Sequence, residues 1–316
     1  MKDFYLGIDT SNYTTSLALL DNNGELLANL KAPLPVKAGE VGLRQSDAVF
    51  AHIKNFPTLF DVIKPYLAEG SLVALGVSSR PRNIYGSYMP VFTVGSMLAR
   101  GISTFSDTPI YEFSHQCGHI MATIYSSGAK ALLGADSFAS YHISGGTTEL
   151  VRTSYMPGVG FESNLVGGTK DLNAGQIIDR VGVFMGLDFP CGIEMEKLAL
   201  TNKKPIPRKK ISVSGVSVNL SGLENMAKKL YEDTEDRALT SAFVLDYIAR
   251  ALAAMSEAYV EAYGDSEFVF AGGVMSNAII RHTLESKFKS HFAQPELSRD
   301  NAVGIAYLTY LKHNKK

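Results

Sequence analysis

Two histidines stand four residues apart in Ser114-His115-Gln116-Cys117-Gly118-His119. On a helix, residues i and i+4 share a face, with Cβ atoms about 6 Å apart. If Ser114 caps that helix, both imidazoles can reach one ion, and two imidazoles suit Zn or Fe. Position 116 is Gln, so this is not the His-Glu-x-x-His of zinc proteases, in which the Glu is the general base. The spacing equally suits two surface histidines, and the pair alone nominates no third ligand. Cys117 falls on another side of such a helix and reads as a small apolar filler.

Two glycine-rich turns offer backbone N–H groups. Ser144-Gly145-Gly146-Thr147-Thr148 follows an apolar run; its glycines permit close backbone approach and its hydroxyls supply donors, as a phosphate loop needs. Gly272-Gly273-Val274-Met275-Ser276-Asn277 follows Phe268-Val269-Phe270 and opens an expected helix over 278–288. A strand, two glycines and a helix N-terminus make a nucleotide-sized slot, although neither a dinucleotide fingerprint nor a Walker motif is present. Each turn also reads as ordinary chain reversal. Asp171, Asp179 and Glu196 lie in a segment that contains an expected helix over 174–187, and are candidates for ribose hydroxyls or plain surface charge. Asp300-Asn301 precedes an expected helix over 302–311, where an acidic residue is favoured by capping and by the helix dipole. The run 203–210, KKPIPRKK, carries five positive charges in eight residues and suits RNA phosphates or a solvated loop.

The elements that must position these residues are legible from hydrophobic period. Phe4 to Ile8, Ser16 to Leu20 and Leu26 to Leu30 are short strands, with Asp21-Asn22-Asn23-Gly24 as a turn, so the chain opens as a meander. Val49, Ile53, Phe56, Phe60, Ile63 and Leu67 recur at helical spacing. Leu72 to Val77 and Pro109 to Phe113 read as strands, with a helix near 94–102 between them. The second half repeats the plan: a strand to Ile143, a polar turn, a returning strand from Glu149, and a long amphipathic helix over 239–263 feeding the strand at Phe268. Set side by side, GIDTSNYTTSLAL from Gly7 and HISGGTTELV from His142 look like one duplicated unit. The reading is an α/β protein of two similar lobes facing a nucleotide cleft.

Composition bounds the alternatives. At 316 residues the chain has room for about two domains. Apolar residues at 46% and charged residues at 19% supply a full core and argue against wholesale disorder. A formal net charge of −1 excludes a strongly basic nucleic-acid coat but not a local basic patch. Two cysteines, Cys117 and Cys191, cannot make a disulfide framework or a four-cysteine zinc site. The opening MKDFYLGIDTS does not read as a signal peptide, and no apolar run approaches 20 residues, so no membrane span is expected. The expectation is a soluble cytoplasmic protein.

Taken in order, GIDTS, HQCGH, SGGTTEL, DLNAGQIIDRVGVFMGLDFPCG, SVSGVSVNLSG, GGVMSN and SRDNAVGIAY resemble the catalytic subunits of the tRNA threonylcarbamoyladenosine synthase family, once labelled O-sialoglycoprotein endopeptidases, Gcp-like, or peptidase family M22. The resemblance covers nearly the whole chain. It implies two duplicated actin-like, ribonuclease H-like lobes of the sugar kinase, Hsp70 and actin superfamily (ASKHA): lobe I over 1–113, lobe II with the nucleotide and metal site over 114–299, and a C-terminal helix over 300–316 packing back on lobe I. It implies one divalent metal, Fe or Zn, on His115, His119 and Asp300. Ser144, Gly145, Gly146 and Thr147 would hold the acyl-phosphate end of an adenine nucleotide substrate, ATP or threonylcarbamoyl-AMP. Asp179, Gly192, Glu196 and Asn277 would hold the nucleoside, with Gly272 and Gly273 beside it.

The activity implied is metal-dependent transfer of a threonylcarbamoyl, or related carbamoyl, group from an adenylate to an adenosine of tRNA next to the anticodon. The bound metal would polarise or orient the substrate. Backbone N–H groups of the 144–147 turn would stabilise charge as AMP departs. No side chain is nominated as a catalytic base, and positioning carries much of the rate. The implied partners are tRNA, through 203–210, a homologous scaffold subunit and a small ATPase, with no membrane. This chain departs from the family pattern in places expected to line the cleft: Asn12-Tyr13-Thr14 replaces Cys-Asp-Glu, Arg80-Pro81-Arg82-Asn83-Ile84-Tyr85 replaces a Gly-Pro-Gly stretch, Thr147 stands for His and Glu149 for Gln. It is therefore identified as a divergent paralogue. A second reading is a non-catalytic nucleotide-binding scaffold of the same family. A third is the metallopeptidase of the older label.

Overall fold

Alternation in KDFYLGIDT puts Phe4, Leu6 and Ile8 in the core of strand β1 (Lys2–Thr10). The computed structural model describes residues 2–11, 13–35 and 43–315. These divide into two compact units: Met1–Gly134 with Ser154–Glu162 and Arg299–Lys316, and Ala135–Thr153 with Ser163–Ser298.

In the first unit β1 pairs antiparallel with β2 (Thr14–Leu20), which pairs antiparallel with β3 (Leu26–Pro33). On its other side β1 pairs parallel with β4 (Gly70–Arg80), and β4 with β5 (Ile110–Ser114). The strand order is therefore β3-β2-β1-β4-β5. Helices α1 (Gln45–Leu67) and α2 (Phe92–Ser106) make the parallel crossovers. They cover one face of the sheet, burying Phe56, Leu59 and Ile63 of α1 and Val94 of α2 against Ile8, Leu17 and Val77. The buried stripe of α1 is offset from the expected one. Ile53 is 49% exposed and His52 is buried in its place, because His52 Nδ1 and Thr15 Oγ1 are hydrogen-bonded at 2.8 Å. Helices α3 (His115–Ser127) and α9 (Val303–His313) lie on the other face.

The second unit has β6 (Phe138–Ile143) antiparallel to β7 (Thr148–Met156), with β8 (Gly160–Thr169) next to β7. On its other side β6 pairs parallel with β11 (Glu267–Ala271), and β11 with β12 (Lys289–Phe292). The order β8-β7-β6-β11-β12 repeats that of the first unit. A small ribbon, β9 (Val213–Ser214) and β10 (Ser217–Val218), is added beyond β8. The helices are α4 (Ala174–Phe184), α5 (Gly192–Thr201), α6 (Ser221–Thr234), α7 (Arg237–Tyr263) and α8 (Ala278–Glu285).

Two expectations change. Lobe I was expected to end at 113, but α3 belongs to the first unit, because it packs on α9 and against β4 and β5. The long helix over 239–263 was expected to be amphipathic. Helix α7 is instead apolar on most sides, and by length and composition it is the one helix among the described residues able to cross a membrane. Its most apolar 18-residue stretch is 78% buried inside the protein, so it is a core helix.

Candidate metal centre and nucleotide loops

Ser114 ends β5, and its Oγ accepts Cys117 N–H at 3.2 Å, capping α3 as its residue type requires. The cap starts the helix at His115, so His115 and His119 face the same way. Their rings are edge to face with centroids 4.4 Å apart. Asp300 comes from the other end of the chain. Helices α3 and α9 pass at glycines: a Cβ on Gly304 would collide with Gly118 O, and one on Gly7 of β1 would overlap Ala302 O and Ala306. This close approach brings the residue four before Gly304 onto the histidine face. Asp300 does not take the capping role expected of it: Ala302 is the N-cap of α9, with no side-chain cap bond, and Asn301 Oδ1 accepts Val303 N–H at 3.0 Å. Asp300 is left free to turn to the histidines.

His119 Nε2 lies 2.9 Å from His115 Nε2. Asp300 Oδ1 is 3.3 Å from His119 Nε2 and 3.6 Å from His115 Nε2. A tetrahedral site with bonds of roughly 2.0–2.1 Å has ligand–ligand edges of about 3.3 Å, so this N, N, O triangle fits one transition-metal ion. Two imidazole lone pairs facing each other at this distance repel unless a cation or proton lies between them. All three ligand atoms lie within 4.8 Å of one another.

A fourth residue, which the sequence reading missed, completes the arrangement. Asp9 is 1% exposed, and its Oδ2 accepts His115 Nδ1–H at 2.6 Å. Its Oδ1 accepts Ser11 N–H at 2.8 Å. This fixes the tautomer that leaves His115 Nε2 free to ligate and raises the basicity of that nitrogen. Burial opposes the His115 cation, but the Asp9 and Asp300 carboxylates outweigh it and push the group up to about 10. Burial and the adjacent His115 push His119 down. Burial also opposes the Asp300 anion, yet hydrogen bonds from both histidines hold it well below the usual carboxylate range. The only sequence signal for Asp9 was a carboxylate at the end of a buried strand.

In the second unit the 144–147 turn joins β6 to β7. Ser144 N–H donates to Thr147 O at 2.8 Å, and Gly146 N–H to Ser144 Oγ at 3.3 Å. A Cβ on Gly145 or Gly146 would meet open space, so their backbone is approachable. Two further backbones abut this turn. A Cβ on Gly272, where φ is +99°, would collide with Ile143 O, and one on Gly175 at the start of α4 would come within 2.6 Å of Ser144 O. Ala174 N–H donates to Thr148 Oγ1 at 2.9 Å. The structure thus gathers the 144–147 turn, Gly272 and the α4 N-terminus. Gly175 was not nominated from sequence.

The expected nucleoside residues fall in two places. Glu196 accepts Asn277 Nδ2–H at 3.2 Å and Ala278 N–H at 2.9 Å. Asn277 Oδ1 caps α8 by accepting Ile279 N–H and Ile280 N–H, both at 3.1 Å. A 3-10 turn over Gly273–Ser276 separates the glycine pair from α8, so the slot is longer than expected. Asp179 Oδ1 accepts Cys191 N–H at 2.8 Å, just before Gly192 opens α5. Burial raises the Asp179 carboxyl. Asp171 instead serves the fold: its carboxylate accepts Leu220 N–H, Ser221 N–H and Ser221 Oγ–H at 2.7–3.1 Å, tethering the start of α6.

Of the altered positions, Asn12 lies outside the described residues. Arg80 is held by Asn83 Oδ1 at 2.8 Å and Ser79 Oγ at 3.0 Å. The basic run is exposed except at Ile206 and Pro207. Within it, Lys204 pairs with Asp236 at 2.7 Å, and Lys209 O accepts a hydrogen bond from Arg250.

Two copies of the order 3-2-1-4-5, each with its crossover helices, define the duplicated actin-like α/β fold. Solved structures share it. A HypF in its phosphate- and nucleotide-bound form superposes with TM-score 0.59 at 12% identity, over 99% of this chain and 55% of that one. The HypF of T. kodakarensis gives 0.60 at 12%, over 99% and 48%. The chain thus spans about half the length of these HypF proteins. Component A of the Acidaminococcus fermentans (R)-2-hydroxyglutaryl-CoA dehydratase gives 0.55 at 14%, over 98% and 99%. The model of the TsaD family, tRNA N6-adenosine threonylcarbamoyltransferase, matches residues 72–307, and the chain belongs to that family.

Proposed function

We propose that this protein transfers a threonylcarbamoyl, or related carbamoyl, group from an adenylate to an adenosine of tRNA, with a metal held by His115, His119 and Asp300. The observation that carries this reading is the convergence of those three side chains on one point in a transferase-family chain, with Asp9 orienting the first histidine. When bound, the metal supplies a Lewis acid for the acyl carbonyl or its neighbouring oxygens.

The protein groups do the rest by position. Gly145, approachable in the 144–147 turn, offers an N–H donor to the phosphate and to the charge that develops on it, and Gly146 N–H can join it by giving up its 3.3 Å bond to Ser144 Oγ. Gly272 and Gly175 keep the backbone close enough for that turn to hold its shape. The exocyclic amine of adenosine forms the new C–N bond to the carbamoyl carbon. The C–O bond to phosphate breaks, AMP leaves with the electron pair, and the amine gives up one proton. Glu196 and Asn277, already hydrogen-bonded together, and Asp179 are the side chains we assign to the nucleoside. The exposed cations of 203–210 are assigned to tRNA phosphates. A homologous scaffold subunit and a small ATPase are the expected protein partners, in the cytoplasm.

The test is incubation of metal-loaded protein with threonylcarbamoyl-AMP, unmodified tRNA and those partners, with nucleosides read by mass spectrometry. Threonylcarbamoyladenosine is expected; its absence with every component present overturns the reading. A scaffold without catalysis is the second reading, favoured by the loss of the two carboxylates expected at positions 13 and 14. It predicts nucleotide binding without turnover. The peptidase reading finds no support at position 116, where Gln116 cannot act as a base.

A further inference from the structure

Arg80 is a cation for which no described residue supplies a counter-ion, placed at the same sheet edge as the proposed metal site. Strand β4 lies between β1 and β5, and the three run parallel. Their carboxyl ends therefore share one edge, where α/β sheets bind ligands. β1 delivers Asp9 there and β5 delivers His115, while Arg80 is the last residue of β4 and pairs in register with Ser114. Arg80 thus stands in the strand between the two that supply the metal site.

Its guanidinium is oriented before any ligand arrives. Ser79 Oγ and Asn83 Oδ1 accept two of its N–H groups, and other donors of the fork remain. The clamp is itself fixed to α3. Asn83 Nδ2–H donates to Phe161 O at 2.8 Å and to Cys117 Sγ at 3.2 Å, and Gln116 N–H donates to Pro81 O at 3.1 Å. Among the described residues no carboxylate forms an ion pair with Arg80, and the residue is half-buried. A positioned guanidinium with no protein anion suits a carboxylate, which it can grip through two parallel N–H bonds.

We infer that Arg80 is the specificity residue for the acyl group, selecting one that ends in a carboxylate. This rests on the acyl-adenylate reading above and adds to it the chemistry of the acyl end. A phosphate oxygen shares the same chemistry, so the test separates the two.

Isothermal titration would compare hydrolysis-resistant analogues of threonylcarbamoyl-AMP, which carries the carboxylate, and carbamoyl-AMP, which lacks it but keeps the phosphate. The wild-type chain is expected to prefer the carboxylate ligand by about 10- to 100-fold, as a charge-assisted pair provides. Arg80→Gln is expected to abolish the preference and leave carbamoyl-AMP affinity unchanged. Arg80→Lys, which keeps the charge and loses the fork, retains part of it. A preference that survives Arg80→Gln, or a wild type that prefers neither ligand, overturns the inference. An equal loss of both ligands in Arg80→Gln reassigns Arg80 to phosphate and also overturns it. If the wild type binds neither adenylate, the acyl-adenylate reading itself fails and takes this inference with it.

Discussion

Gly304 has no room for a side chain because the carbonyl of Gly118 occupies the space where its Cβ would be. Gly118 lies between the two histidines on α3, and Gly304 lies four residues after Asp300 at the start of α9. The helix crossing and the His115, His119, Asp300 cluster are therefore one feature. Gly304→Ala should force α3 and α9 apart. Overpacking of this kind costs about 1–3 kcal/mol, and here it also separates Asp300 from His115 and His119. The expected result is a melting temperature several degrees lower and iron or zinc content well below one per chain by mass spectrometry. Full metal content in a folded variant would show that the crossing does not set the site.

In the proposed metal centre Asp9 holds His115 by a hydrogen bond to Nδ1 and is not itself one of the three ligands. Asp9→Asn should weaken metal binding by about 10- to 100-fold, the usual effect of losing a carboxylate behind a ligating histidine. His115→Ala, His119→Ala and Asp300→Ala should each weaken it further. Competition with a calibrated chelator would rank the four, and an Asp9 variant as severe as His115→Ala would mean that Asp9 ligates directly.

Gly175 and Gly272 hold the 144–147 turn from two sides. Gly175→Ala puts a methyl within 2.6 Å of Ser144 O and should lower adenylate affinity by about tenfold, about the cost of one lost hydrogen bond. Metal content should stay intact because the triad lies in the other unit. Equal losses of metal and nucleotide would indicate general unfolding instead.

Asp171 gives a pH signature. Burial opposes its anion, but hydrogen bonds from Ser221, Leu220 and Leu172 outweigh it and hold the carboxyl at about 2, below its ordinary 3.8. A carboxyl depressed by folding stabilises fully above the unfolded value, and this contribution is lost as pH falls through the folded one. The stability gap between wild type and Asp171→Asn, read by urea denaturation, should therefore be constant above about pH 5 and shrink from pH 4 towards pH 2. A gap independent of pH would place the effect of Asp171 elsewhere.

The run 203–210 should behave as a phosphate contact. Replacing Arg208, Lys209 and Lys210 together with Ala should weaken tRNA binding across all tRNA sequences. It should also reduce the slope of log affinity against log salt by about two to three. Filter binding from 50 to 200 mM salt would measure it, and an unchanged slope would return the segment to a solvated loop.

What could be read from the chain by itself is local. Strand period, the Asp21-Asn22-Asn23-Gly24 turn, the Ser114 cap and the i, i+4 histidine pair all follow from neighbours within one or two turns. The repeat was legible because the same turn chemistry occurs twice, at Gly7 and His142. The apolar stripe of α1 was misjudged by one position, since only contact with Thr15 makes His52 an interior residue. The character of α7 was misjudged because periodicity cannot say that a helix is covered on most sides.

Tertiary structure alone decided what those local pieces do. By its neighbours alone Asp300 reads as a cap, and only the family resemblance makes it a ligand; the structure turns its carboxylate to the two histidines instead of to the α9 N-terminus. Gly304 and Gly175 have no local signature, and Asp9 shows only as a carboxylate ending a buried strand, because their roles come from backbones and side chains that meet them from distant parts of the chain. Arg80 gains its meaning only from standing between β1 and β5. Local propensity fixes which residues share a face of one element. Which faces meet is set by burial and close approach between elements, and on those contacts the His115, His119, Asp300 cluster and the 144–147 turn depend.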